Sequence, residues 1–161
     1  MQGAPLVAGA IVLYLLVELG DARFYWTPLI VGLAYLAAAA VGGPRGSYWA
    51  TATVITAWGA GVVLLTEVDT GVGTAPGYLL AIGAGALVAA LLERRGFAVD
   101  ALGVAGSVLL AGAFFALQPR DPFGDAWFYA AALGLVGLIR LAVGRTDART
   151  GSSARSASAS A

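Results

Sequence analysis

Residues 90–103 read ALLERRGFAVDALG. Three consecutive charges, Glu93, Arg94 and Arg95, and a glycine interrupt what is otherwise one long apolar stretch, and Asp100 follows just inside the second half. A charged break of this kind inside apolar sequence reads as a turn between two helices. The chain holds nine basic residues, all arginine, so two of nine fall in this one turn. Their placement is the clue to the rest of the chain.

Composition sets the frame. Of 161 residues 60% are hydrophobic and 11% charged. A soluble domain carries roughly a quarter charged residues, so the chain is read as a membrane protein. Formal net charge is zero, which gives no electrostatic attraction to nucleic acid as a partner. Cysteine and histidine are both absent. That removes disulfides, thiol chemistry and the usual zinc and haem ligands, and no cofactor is expected.

Outward from residues 90–103, apolar runs fall at about 5–19, 26–43, 48–66, 76–92, 97–118 and 124–143. Most approach the ~20 residues that cross a ~30 Å hydrocarbon core. Backbone groups in lipid must bond within the segment, and alternation at period two is missing, so the expected class is all-α with six transmembrane helices. The first run is the shortest. A signal peptide is the competing reading, but no positive region precedes it.

The connections alternate in charge. One set carries Glu18, Asp21, Glu67, Asp69, Asp121 and Asp125 with Arg23 and Arg120; the other carries Arg45, Arg94 and Arg95, followed by Arg145 and the remaining arginines of the tail. With Arg140 near the end of the sixth run, arginine divides seven to two. The positive-inside rule then places both termini in the cytoplasm of a plasma-membrane protein, with Arg45, Arg94, Arg95 and Arg145 setting topology. Tyr25, Trp26, Tyr48, Trp49, Tyr78 and Trp127 lie near run ends, where amphipathic rings favour the interface. Residues 147–161 are small and polar and are expected to be disordered.

A repeat of about fifty residues is legible. Arg45, Arg95 and Arg145 are spaced by fifty, and YLLVELGD (14–21), VLLTEVDT (63–70) and FFALQPRD (114–121) align. The units are about 1–46, 47–96 and 97–146, each a two-helix hairpin of the same orientation, which implies a pseudo-threefold axis along the membrane normal. Ala81, Gly85 and Ala89 then form a small-residue face on the fourth helix. Gly103 with Gly106, and Gly134 with Gly137, do the same on the fifth and sixth, the pattern that lets helices approach closely in lipid.

Three tandem hairpins, prolines at 28, 76, 119 and 122, and the stretch 106–144 (GSVLLAGAFFALQPRDPFGDAWFYAAALGLVGLIRLAVG) resemble the HdeD-type acid-resistance membrane proteins. The likeness covers all six runs in outline and departs at Pro28, which lies inside the second run. It implies a membrane-embedded, stress-associated protein and no particular chemistry. The amide and urea channel family is similar in outline too, but its first-helix Asn-Gly pair has no counterpart in a chain without asparagine.

Two polar constellations stand out. Asp100 and Arg140 are expected at similar depth on neighbouring helices five and six, as an ion pair or the entrance of an ion or proton path. Glu18, Glu67 and Gln118 would form an outer ring if the threefold holds. Neither Ser47 nor Ser107 has a base beside it, and Asp100 stands alone, so no enzymatic site is read. The function classes that remain are a non-enzymatic protein acting through packing with itself or a membrane partner, and a small channel or transporter. A polar stripe through the centre would favour the second; midpoints of the runs lean towards a dry interior.

Overall fold

The computed structural model describes residues 2–71, 73–117 and 125–158, with side chains through 114 in the second stretch and through 142 in the third. It is all-helical, with no strand among the described residues. The helices are α1 (Gly3–Leu13), continued by a π turn over Tyr14–Glu18, then α2 (Thr27–Gly42), α3 (Trp49–Glu67), α4 (Thr74–Arg94), α5 (Ala101–Leu117) and α6 (Ala126–Ser158). The segments Phe24–Gly42, Trp49–Glu67 and Thr74–Arg94 are long and apolar enough to cross a membrane. Gly3–Glu18, Ala101–Phe114 and Ala126–Ala142 are shorter apolar helices.

The opening stretch shows how local chemistry stops one helix and starts the next. Gly96 takes the left-handed conformation, φ 86°, that costs a residue without a Cβ nothing. Its N–H donates to the Glu93 carbonyl at 2.9 Å, and the Phe97 N–H donates to the Leu92 carbonyl at 3.1 Å. Those two bonds are a Schellman motif, which satisfies the last carbonyls of α4. Four residues on, the Asp100 carboxylate accepts from the Gly103 N–H and so caps the start of α5. Asp100 therefore precedes the helix. The sequence had placed it one turn inside, because apolar Phe97–Val99 look helical by composition.

The backbone of α6 is helical to Ser158.

Packing is organised around α3, which lies against α2, α4 and α5, while α1 lies against α2 and α6. Ala52, Val54, Trp58 and Val62 of α3 are buried. Its two main crossings are built on glycine. A Cβ on Gly32 would come 2.6 Å from Thr56 Cα, and one on Gly59 would come 2.5 Å from Leu29 Cα. Position 29 thus meets 59 and 32 meets 56, an antiparallel crossing closer than two side-chain-bearing helices reach. On the opposite face Gly61 meets Ala81, and Gly85 meets Val54 and Ala57. The small face expected at Ala81, Gly85 and Ala89 is the one α4 turns to α3, with Ala89 buried. Gly137 abuts Gly3 and Val7, so the small face of α6 serves α1.

The packing is uneven over the three hairpins. In the first two, the paired helices lie against each other. In the third, α5 packs on α3 and α6 on α1, and the two meet through Phe114 and Tyr129, whose ring centroids are 5.1 Å apart.

One end of the bundle collects the arginine-bearing turns. The Ala98 N–H donates to the Pro44 carbonyl at 2.7 Å, joining the α2–α3 and α4–α5 connections. Ser47 donates to Gln2 at 3.2 Å, adding the start of α1. Arg45, Arg94 and Arg95 are exposed at this end. At the other end Tyr25 donates to Glu67, and Phe24 stacks on Phe114.

Candidate functional site

The residues singled out by charge are held by different partners. Asp100 caps α5, as described. Arg140 lies with its guanidinium carbon 5.1 Å from the centroid of the Tyr48 ring, a cation–π contact. Both are near the start of α3, where Tyr48 and Ala50 lie, yet they do not pair with each other. Of the outer set, Glu67 accepts from the Tyr25 hydroxyl, Glu18 is exposed in the last position of the π turn, and Gln118 lies outside the described residues. The side chain of Arg145 is also outside them.

Threonine roles are mixed. Thr53 and Thr66 donate to carbonyls in the preceding turn, at 2.9 Å to Trp49 and 2.7 Å to Val62. Such bonds satisfy a hydroxyl within its own helix. Thr27 and Thr56 do otherwise: their hydroxyl oxygens are buried with no hydrogen-bond partner among the described residues.

Thr27 leads to an aromatic-lined cleft. Because α5 and α6 sit on different partners, they splay, and a cleft of about 350 Å³ opens between them. Thr27, Val31 and Tyr35 line one wall, one turn apart along α2. Thr51, Ile55 and Trp58 of α3 form the floor. Leu110 and Phe114 of α5 face Tyr129, Leu133 and Val136 of α6 across the gap. The walls are almost wholly apolar and aromatic, and 350 Å³ falls within the ~300–1,000 Å³ range of ligand pockets. Leu110, Ala113 and Ala132 are exposed, so the mouth opens sideways, away from the bundle axis.

Two details mark the cleft as more than a packing fault. Thr27 is 1% exposed, and its hydroxyl finds no partner; a buried, unmade hydrogen bond costs about 1–3 kcal/mol. At the arginine end, the Tyr35 ring meets Tyr48 edge-on at 5.4 Å. Tyr48 holds φ 88°, a left-handed backbone that a bulky residue rarely takes, and its hydroxyl is also buried without a partner. Strain of this kind costs roughly 1–3 kcal/mol and gathers at functional sites.

Arg140 completes the arrangement. It is one turn beyond Val136 on the same face of α6, with its guanidinium against the Tyr48 ring. Neither Arg140 nor Tyr48 lines the cleft; they lie just past its Tyr35 and Val136 end. The sequence points to Arg140 and, as an interface ring, to Tyr48, but not to Thr27 or Phe114. The available signal was the spacing Tyr129–Leu133–Val136–Arg140, an apolar stripe that ends in arginine. Neither a protein-family model, nor a curated protein, nor a solved structure matches this chain.

Proposed function

We propose that this chain is a six-crossing plasma-membrane protein with both termini in the cytoplasm, and that it works by binding within the bilayer, without catalysis. The observation that carries the binding reading is the cleft: apolar-walled, open to the side, with the Thr27 hydroxyl in its wall lacking a hydrogen-bond partner among the described residues. Three helices already have the length and apolarity of spans. The shorter ones carry the same kind of surface, with Ile11, Leu109 and Leu135 all more than half exposed. Apolar surface on that scale suits lipid as its solvent. Gly3–Glu18 extends roughly 24 Å at 1.5 Å per residue, a span that a locally thinned bilayer accommodates. The HdeD-like character of the sequence adds a stress-associated setting, and the fifty-residue repeat adds descent from one hairpin. A homo-oligomer or a membrane-protein partner would fit over the cleft mouth.

The competing reading, a small channel or transporter for a proton, ion or neutral solute, requires a polar path. The cleft walls give it little support. Flux of protons, monovalent cations and a small neutral solute through purified protein in liposomes tests the choice. The binding reading expects no flux above empty liposomes for any of the three. Flux of any one would overturn it and establish the transporter reading.

A further inference from the structure

We infer that the cleft between α5 and α6 is a site for one acyl chain of an anionic phospholipid, whose phosphate is held by Arg140. The inference rests on the membrane-binding reading and names its ligand.

Shape comes first. Along α6 the distance from Phe128 to Arg140 is twelve residues, or roughly 18 Å at 1.5 Å per residue. A chain from one leaflet covers about half of a ~30 Å core, so a headgroup at Arg140 brings its chain to the aromatic end formed by Trp58, Phe114 and Tyr129. The sideways mouth admits a chain from the surrounding leaflet with no passage through water.

Charge comes second. The Arg140 guanidinium carbon lies 5.1 Å from the Tyr48 ring centroid, and the side chain is exposed, so its N–H donors can reach phosphate oxygens. No carboxylate among the described residues is within ion-pair distance of it. Arg45, exposed in the turn before Tyr48, adds positive potential at the same end. Basic pockets between membrane helices on the arginine-rich side are the arrangement that takes anionic headgroups.

Polarity comes third. The unpartnered hydroxyl within the cleft wall is that of Thr27, at the end away from Arg140, so the length between them is left to an apolar chain. The second apolar groove, between α1 and α2 along Gly9, Leu29 and Leu33, has no unpartnered buried polar atom among its lining residues.

The test is native mass spectrometry of delipidated full-length protein, titrated with phosphatidylglycerol and with phosphatidylcholine of the same chains. One phosphatidylglycerol is expected to bind, about fivefold tighter than phosphatidylcholine, the factor a single arginine near an anionic headgroup supplies. Arg140→Gln should abolish the preference while keeping weak binding of both. Ala132→Trp, which fills the mouth from an exposed position, should abolish binding of both. Equal binding of the two lipids by wild type, or a preference that survives Arg140→Gln, would overturn the headgroup assignment. Binding unchanged by Ala132→Trp would overturn the cleft assignment. Flux through liposomes with lipid binding intact would sink the non-transport reading alone; absent lipid selectivity without flux would sink this inference alone.

Discussion

Substituting Gly32 by alanine separates two effects that usually travel together. In a helix interior, glycine to alanine is favourable by about 1 kcal/mol. At Gly32, however, the new Cβ would sit 2.6 Å from Thr56 Cα, a backbone atom that cannot rotate aside. Carbon atoms prefer about 3.5–4.0 Å, so α2 and α3 must part by roughly 1 Å along their crossing. Overpacking of this kind costs about 1–3 kcal/mol. The control is Gly83→Ala on α4, where a Cβ would meet nothing within 4 Å. Helix propensity cancels between the two variants, so Gly32→Ala should be less stable than Gly83→Ala by about 1–3 kcal/mol. Gly59→Ala should behave like Gly32→Ala. The double variant should lose less than the sum, because one separation of the same two helices relieves both clashes. Unfolding by dodecyl sulfate in mixed micelles, followed by the fluorescence of the four tryptophans, reads these differences. A Gly32→Ala protein as stable as Gly83→Ala would refute the close crossing of α2 and α3.

Three further predictions concern side chains. Thr27→Val removes a buried hydroxyl that has no partner and keeps the shape; the delipidated protein should gain about 1 kcal/mol, read in the same unfolding assay, and a loss of that size would show that the hydroxyl is satisfied. Asp100→Ala should lose about 1 kcal/mol through the missing cap, whereas Asp100→Asn should lose a few tenths at most; combined with Arg140→Gln in a double-mutant cycle, either should show coupling near zero. Tyr25→Phe and Glu67→Leu each remove the bond joining the start of α2 to the end of α3; being exposed, that bond should shift the unfolding midpoint only slightly, and the double variant should cost no more than either single one.

Helix positions were largely legible in the sequence because apolar runs, arginine-bearing breaks and glycine each act locally. The Gly85 face is an example: its spacing with Ala81 and Ala89 marks a contact surface whatever the partner is, and α3 proves to be that partner. Asp100 was misread because Phe97–Val99 are apolar and outside the helix, a case where a Schellman stop and an aspartate cap override hydropathy. The Asp100–Arg140 pair was inferred from chain adjacency of α5 and α6. Packing followed surface shape instead, as α6 offers its glycines to α1 and α5 lies on α3. That choice opens the cleft, so a site made of Thr27, Tyr35, Phe114 and Val136 depends on a tertiary preference that no single run displays. The strained backbone of Tyr48 is of the same kind, a consequence of where α3 must begin.

The membrane-crossing account is tested most directly by cysteine accessibility, since the chain has no cysteine of its own. Single substitutions Ser47→Cys and Ala98→Cys lie in the arginine-bearing turns, and Asp21→Cys, Asp69→Cys and Asp125→Cys at the acidic end. An impermeant maleimide on intact cells should label the three acidic-end positions, and label 47 and 98 only after permeabilisation. Labelling of 98 and 125 from the same side would show that α5 does not cross, and six crossings would be wrong.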